Sequence, residues 1–307
     1  MFTQVRHIKI LEDSIGQRID NFFIRLCKGI PKNRIYKAIR SGEVRVNSNR
    51  VNAFYRLFKG DIIRVPPFKF SEKDTHKKIR AKEFPIIYED DHLLVINKPA
   101  GFAVHGGSGI SFGGVIEQLR AAKPEFNFLE LVHRLDRDTS GLLMIAKNRK
   151  TLCSLHQMLS IGKINKYYLA LVEGDWVNNF QHIKFSLTKK LLPSGERRVY
   201  IDPDNGKSAH TVVMLKNRFG SHSLLNVQLH SGRTHQIRVH LSSSGFPILG
   251  DEKYGHRNCQ KMELFSKEKL QRMFLHAHRL IFQHPILKER LDLIAELPID
   301  YINIIKN

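Results

Sequence analysis

Asp136 lies in the stretch Leu131-Val132-His133-Arg134-Leu135-Asp136-Arg137-Asp138-Thr139-Ser140-Gly141, directly ahead of the apolar run Leu142-Leu143-Met144-Ile145-Ala146. Four of the five positions 134 to 138 are charged. On a solvated loop such residues cost little, but beside a strand that enters a core they sit at its edge. There Asp136 stays ionised if a cation stands within a few ångströms, and Arg134 and Arg137 are the nearest in sequence. A carboxylate held in that way could attack an electrophilic carbon or stabilise positive charge developing on it. The plainer reading is a salt-bridged surface turn, because structural ion pairs give the same pattern. On residue type alone, Asp138 could do the same chemistry.

The surrounding blocks narrow the choice. Tyr88-Glu89-Asp90-Asp91-His92-Leu93-Leu94-Val95-Ile96-Asn97-Lys98-Pro99-Ala100-Gly101 and Val104-His105-Gly106-Gly107-Ser108-Gly109 precede the aspartate stretch. Lys166-Tyr167-Tyr168-Leu169-Ala170-Leu171-Val172, Gly232-Arg233-Thr234-His235-Gln236-Ile237-Arg238-Val239-His240, Leu275-His276-Ala277-His278-Arg279-Leu280 and His284-Pro285 follow it. In this order, over nearly the whole chain, they closely resemble the pseudouridine synthases that modify large-subunit ribosomal RNA. The resemblance implies an isomerisation that breaks the N-glycosidic bond of a uridine, turns the uracil and rejoins it to C1′ through C5. Nothing is oxidised and no group is imported, so one carboxylate suffices and no cofactor is expected.

The resemblance aligns the family's catalytic aspartate with Asp136. It makes Tyr168 the active-site tyrosine, whose ring would stack on the extracted uracil and whose hydroxyl could accept a ribose proton. Alternation along a strand sends Tyr167 to the other face. A desolvated carboxylate needs a fixed cation, and Arg233 is expected to supply it from a strand-to-helix junction where Thr234 can cap the helix. Binding phosphate alone is the other reading of Arg233, and Arg238 is expected to contact phosphate. Here the chain departs from the family, with His230-Ser231 before Gly232 where a threonine is usual. A stacked uridine must leave its helix to react. Arg134, on the same side of an extended chain as Asp136, could fill the gap with its planar guanidinium, as its counterpart does in related synthases, and His133 beside it is grouped with the RNA contacts.

These residues need elements to hold them. A length of 307 residues, 42% of them hydrophobic, suits about two domains with ordinary cores. Lys and Arg number 50 against 29 Asp and Glu, a formal charge of +21, which suits a phosphate-rich partner. The excess is concentrated in residues 1–82, where 20 Lys and Arg against 7 Asp and Glu leave +13. Apolar residues at 19, 22, 23 and 26 have helical spacing. A second helix opens at Pro31 and carries Lys32, Arg34, Lys37 and Arg40, expected to contact RNA. With Gly42-Glu43-Val44-Arg45-Val46-Asn47 and Gly60-Asp61, this segment resembles the small RNA-binding domain named after ribosomal protein S-four.

The expected organisation is an RNA-binding domain over 1–67, a charged linker over 68–83 and a catalytic domain over 84–307. In the last, strands are predicted at 93–97, 142–146, 167–172, 224–229 and 279–282, and helices at 150–161 and 234–243. That mixture predicts an α+β domain around a mixed, largely antiparallel sheet, beside a small N-terminal α+β domain.

Other chemistries are disfavoured. No apolar run nears the roughly 18 residues of a spanning helix, and the first residues lack a signal peptide's apolar core, so a cytoplasmic monomer without membrane contact is expected. Cys27, Cys153 and Cys259 form no C-x-x-C pair, and the sixteen histidines form no metal motif. No metal is expected. The glycine-rich His105–Gly109 segment lacks the Gly-Lys-Ser/Thr ending of a nucleotide loop and is read as a mobile loop over RNA. A non-enzymatic ribosome-assembly protein remains the main rival. A glycoside hydrolase pairing Asp136 with Asp138 would need carboxyl groups roughly 5 to 9 Å apart around a sugar, and a strongly basic protein suits sugar polymers poorly.

Overall fold

The computed structural model describes residues 4–27, 30–68, 80–106, 113–193, 195–255 and 272–306. Most of the expected linker and the glycine-rich positions 107–112 lie outside them, as does Cys259. The chain divides into two compact units, Met1–Lys78 and Ile79–Asn307. No helix among the described residues is long and apolar enough to cross a membrane.

The first unit packs two helices on a small sheet. Helix α1 (Ile19–Leu26) buries Ile19, Phe22 and Phe23, and α2 (Lys32–Arg40) buries Ile35, Ala38 and Ile39. Strands β1 (Arg6–Lys9), β2 (Arg45–Val46) and β3 (Ile62–Val65) pair antiparallel in the order β1-β3-β2. Phe68 packs into the same core with Phe23, Val44 and Val65, so this unit reaches past the expected edge at 67. Buried Asp61 accepts hydrogen bonds from Asn47 Nδ2 (2.8 Å), Tyr55 Oη (3.1 Å) and the Phe58 amide (2.9 Å), fastening the loop between β2 and β3.

The second unit is built on an eleven-stranded sheet. Its strands are β4 (Ile86–Glu89), β5 (Leu93–Lys98), β6 (Glu130–Leu131), β7 (Ser140–Ala146), β8 (Asn165–Glu173), β9 (Phe180–Leu191), β10 (Arg197–Ile201), β11 (Lys207–Phe219), β12 (His222–Leu229), β13 (Leu275–Gln283) and β14 (Arg290–Ile294). The order is β10-β9-β11-β12-β8-β13-β7-β5-β4, with β14 on β13 and β6 on β7. Every pairing is antiparallel except β13 with β7, so the sheet is mixed and largely antiparallel as predicted.

Its centre is apolar on both faces. Leu94, Ile96, Leu143 and Ile145 join one core, which helix α3 (Val115–Ala122) covers with Val115, Ile116 and Leu119. Their neighbours Leu93, Val95, Leu142 and Met144 join the opposite core, with Leu155 of α4 (Arg149–Ser160). That two-sided burial explains why β5 and β7 read as continuous apolar runs. Helix α4 starts where the Asn148 side chain accepts the Thr151 amide (2.9 Å). Helix α5 (Gln236–Ser243) starts differently from the expected Thr234 cap. His235 takes the left-handed conformation (φ 50°) and caps with no side-chain bond, while Gln236 Oε1 accepts from the Arg233 amide (3.0 Å) and Ser231 Oγ (2.8 Å). A last helix, α6 (Ile299–Lys306), adds Tyr301 to the core. The β9–β10–β11 region, α3 and α6 were not foreseen.

The parallel join of β7 and β13 places Gly141 (φ 107°) so close to β13 that a Cβ would lie 2.2 Å from the Ala277 carbonyl oxygen. Gly141→Ala is therefore expected to cost about 3 kcal/mol or more in urea denaturation, combining backbone strain with overpacking. A loss below about 1 kcal/mol would contradict this reading of the join.

Candidate active site

The loop that leads into β7 is fastened from three sides. The Val132 amide donates to the Met144 carbonyl (3.0 Å), and the Met144 amide donates to Nε2 of His133 (3.1 Å). Burial, and secondarily the nearby Lys166, pushes the His133 pKa down to about 3, so the ring is neutral and acts as an acceptor. His133 thus lines the cleft but commits Nε2 to the loop, a structural task that its grouping with RNA contacts did not foresee. Beneath the loop, the fully buried Lys98 donates to the carbonyls of Pro99 (2.9 Å), Phe102 (2.9 Å) and Arg137 (3.0 Å). Burial lowers its pKa to about 7 against the opposing pull of Asp138 and Asp136.

Asp136 is the carboxylate that this loop turns inward, with its side chain 19% exposed. Arg238 Nη1 stands 3.1 Å from Asp136 Oδ2. The other edge of the same guanidinium binds Asp251 in bidentate fashion, Nε to Oδ2 and Nη2 to Oδ1, each at 2.7 Å. Asp251 Oδ1 also accepts from the amides of Lys253 (2.9 Å) and Tyr254 (3.1 Å). Burial disfavours the Arg238 charge, but Asp251 and then Asp136 outweigh it and raise its pKa above the ordinary arginine value. The Tyr254 ring packs 5.1 Å from the guanidinium carbon, and its hydroxyl lies 2.8 Å from Nδ1 of His235. His235 Nε2 is 3.8 Å from Asp136, and burial lowers its pKa despite that carboxylate.

The cation expected from Arg233 is therefore supplied by Arg238. Arg238 lies in the first turn of α5, where residues 236–241 are all buried. Arg233 precedes that helix, is exposed and donates through Nε to the Ser208 carbonyl (3.1 Å). Arg238 in turn is not the free phosphate ligand it was expected to be, because two carboxylates occupy its donors. Asp138 faces away into an exposed pair with Arg137 (3.0 Å).

A cleft of about 440 Å³ opens over Asp136, lined by Arg134, Lys166, Tyr168, Leu229, Gly232, Arg233 and Arg238 among others. Tyr168 is buried in it, and burial reinforced by Asp136 raises its phenol pKa well above the ordinary value. Tyr167 does not line it. Arg134 is exposed at the cleft, with no side-chain ion pair among the described residues. In the first unit, Lys32, Lys37 and Arg40 are exposed on α2, whereas Arg34 is clamped by Glu43 at 2.6 and 3.2 Å and packs over Phe68. Arg34 is thus a structural ion pair where an RNA contact was expected. Asp251, Tyr254, Lys98 and Lys166 went unforeseen as site residues. Their available signals were the Gly250-Asp251 step and the lysines inside the quoted blocks.

Replacing Arg238 with Met leaves Asp251 buried without a cation, for which the expected cost is about 3–5 kcal/mol of folding free energy. Arg233→Ala is expected to stay within about 1 kcal/mol, as an exposed side chain. Urea denaturation of both variants decides the point, and equal losses would contradict the assignment of the ion pair.

The family model described as RNA pseudouridylate synthase matches residues 92–243, which include Asp136, Tyr168, Arg233 and Arg238. The chain is 46% identical over 301 residues to the ribosomal large subunit pseudouridine synthase C of Haemophilus influenzae, covering 96% of this chain and 92% of that protein. It is 47% identical over 287 residues to the protein of the same name from Escherichia coli K12, covering 92% and 89%. Among solved structures, human RNA pseudouridylate synthase domain containing 4 superposes with a TM-score of 0.60 at 25% identity, covering 72% of this chain and 92% of that one. With such similarity along almost all of its length, the chain belongs to the RNA pseudouridylate synthase family.

Proposed function

We propose that this protein isomerises specific uridines of large-subunit ribosomal RNA to pseudouridine, with Asp136 as the catalytic carboxylate, and that it works as a monomer in the cytoplasm without a cofactor. The observation that carries the reading is Asp136 held 3.1 Å from a buried arginine at the base of a cleft beside a buried tyrosine. At about 440 Å³ the cleft suits one extracted nucleoside, within the roughly 300–1,000 Å³ of small-ligand sites. Asp136 faces C1′ of that nucleoside, as nucleophile or as the counter-charge to the cation that forms when the base departs. Tyr168 supplies the stacking wall, and exposed Arg134 takes the place of the base in the helix it left. Arg233 binds phosphate at the rim.

Lys32, Lys37 and Arg40 extend the RNA contact to the first unit, and they account for part of the +13 concentrated in residues 1–82. Replacing all three with Gln is expected to lower the slope of log affinity against log salt by about 2, at about 0.7 per lost single-strand phosphate contact. An unchanged slope would mean that this face is only a solvated surface.

Asp136→Asn keeps the shape and removes the charge. Pseudouridine formation is expected to fall below about a tenth of wild type, while RNA affinity stays within about threefold because phosphate contacts dominate binding. Single-turnover assays on ribosomal RNA fragments test both. Activity above that level would remove Asp136 from the role.

A further inference from the structure

Lys166 lies on β8 two residues before Tyr168, so both side chains leave the strand on one face, and both line the cleft over Asp136. A Cβ built on Gly232 would lie 3.7 Å from Lys166 Nζ, which places the ammonium under the loop that carries Arg233. No carboxylate or carbonyl hydrogen-bonds this ammonium among the described residues. Lys98 has three carbonyls and Lys147 has Glu89, whereas Lys166 is half-buried with burial alone lowering its pKa. An ammonium desolvated without a partner is a cost that folding does not repay, and such groups concentrate where a ligand completes the pairing.

The substrate brings two kinds of negative charge. Phosphate is met by the exposed guanidinium of Arg233 at the rim, whereas Lys166 lines the cleft together with Tyr168, Leu159 and Leu229, the walls suited to a base. We propose that Lys166 is a catalytic residue that donates a hydrogen bond to a carbonyl oxygen of the uracil and stabilises it as the departing anion. When the C1′–N1 bond breaks, its electron pair leaves with N1 and delocalises onto O2 and O4, while C1′ is taken up by Asp136 or held as a cation against it. The ammonium keeps its proton throughout. When C5 bonds to C1′ the ring's electron pair forms that bond, leaving the ring neutral and Asp136 a free carboxylate again; C5 then gives up its proton to solvent and N1 takes one up from it. The inference rests on the reading of this cleft as the reaction site.

The test compares single-turnover scission of the C1′–N1 bond in RNA carrying uridine or 5-fluorouridine at the target, the fluorine making the departing anion intrinsically more stable. Lys166→Met is expected to slow scission about 100-fold on uridine and about tenfold or less on 5-fluorouridine, with RNA affinity within about threefold. Lys166→Arg, which keeps a donor and the charge, is expected to recover most of the uridine rate. An equal penalty on both substrates, or weaker binding with an unchanged scission rate, would overturn the proposal and leave Lys166 a structural or phosphate contact. Asp136→Asn is run beside it. If that variant is inactive on uridine while Lys166→Met keeps the wild-type rate, the lysine inference alone fails. If Asp136→Asn is active, the reading of the cleft fails.

Discussion

One guanidinium shared between two carboxylates organises this protein. Arg238 binds buried Asp251 along one edge and Asp136 at the other, and the three side chains arrive from separate parts of the fold: the loop before β7, the first turn of α5, and the turn after Gly250. Desolvating any one of them alone would cost several kcal/mol. Together they hold a carboxylate in a fixed place, because the cation bound to it is itself fixed by a second anion. The arrangement gives Arg238 a single geometry, and Asp136 inherits it.

The sheet supplies the rigidity on which this depends. Strands β5 and β7 are apolar on both faces, and the parallel join of β7 to β13 requires Gly141 for its close approach. Lys98, at the end of β5, carries that rigidity into the loop that holds Asp136 by ordering three carbonyls around one ammonium. His133 does the same from above through the Met144 amide. Polar groups of this kind act more on position than on stability. The loop cannot move without leaving a buried donor or acceptor unmatched, at about 1–3 kcal/mol each.

The stretch that forms the cleft was legible in the sequence in part. Charges crowded before an apolar strand marked the stretch around Asp136, while the choice of Asp136 over Asp138 and of Tyr168 rested on the resemblance, and alternation then separated Tyr168 from Tyr167. The mixed sheet followed from runs whose length and composition fit strands. What escaped was tertiary. Arg233 and Arg238 lie five residues apart in one block, and only the path of the chain through left-handed His235 into α5 decides which of them points inward. Asp251 carried no periodic signal, being one of two adjacent acidic residues after Gly250. Glu43 reaches back nine residues to claim Arg34, a pairing that helix spacing does not encode. Strand β9 was missed because it mixes an exposed histidine and exposed lysines with sparse apolar positions, a pattern that reads as loop until neighbouring strands pair with it, whereas β11 was missed although Val212-Val213-Met214-Leu215 marks it as apolar.

The central claim is that Arg238 and Asp251 act on Asp136 as one unit. A double-mutant cycle on the single-turnover rate of pseudouridine formation tests it most directly, using Arg238→Gln, Asp251→Asn and the pair. If the unit is real, the losses are strongly non-additive, with the double variant about as slow as the Arg238 variant alone. Losses that simply add would mean that Asp251 has no hold on Asp136, and would contradict the account.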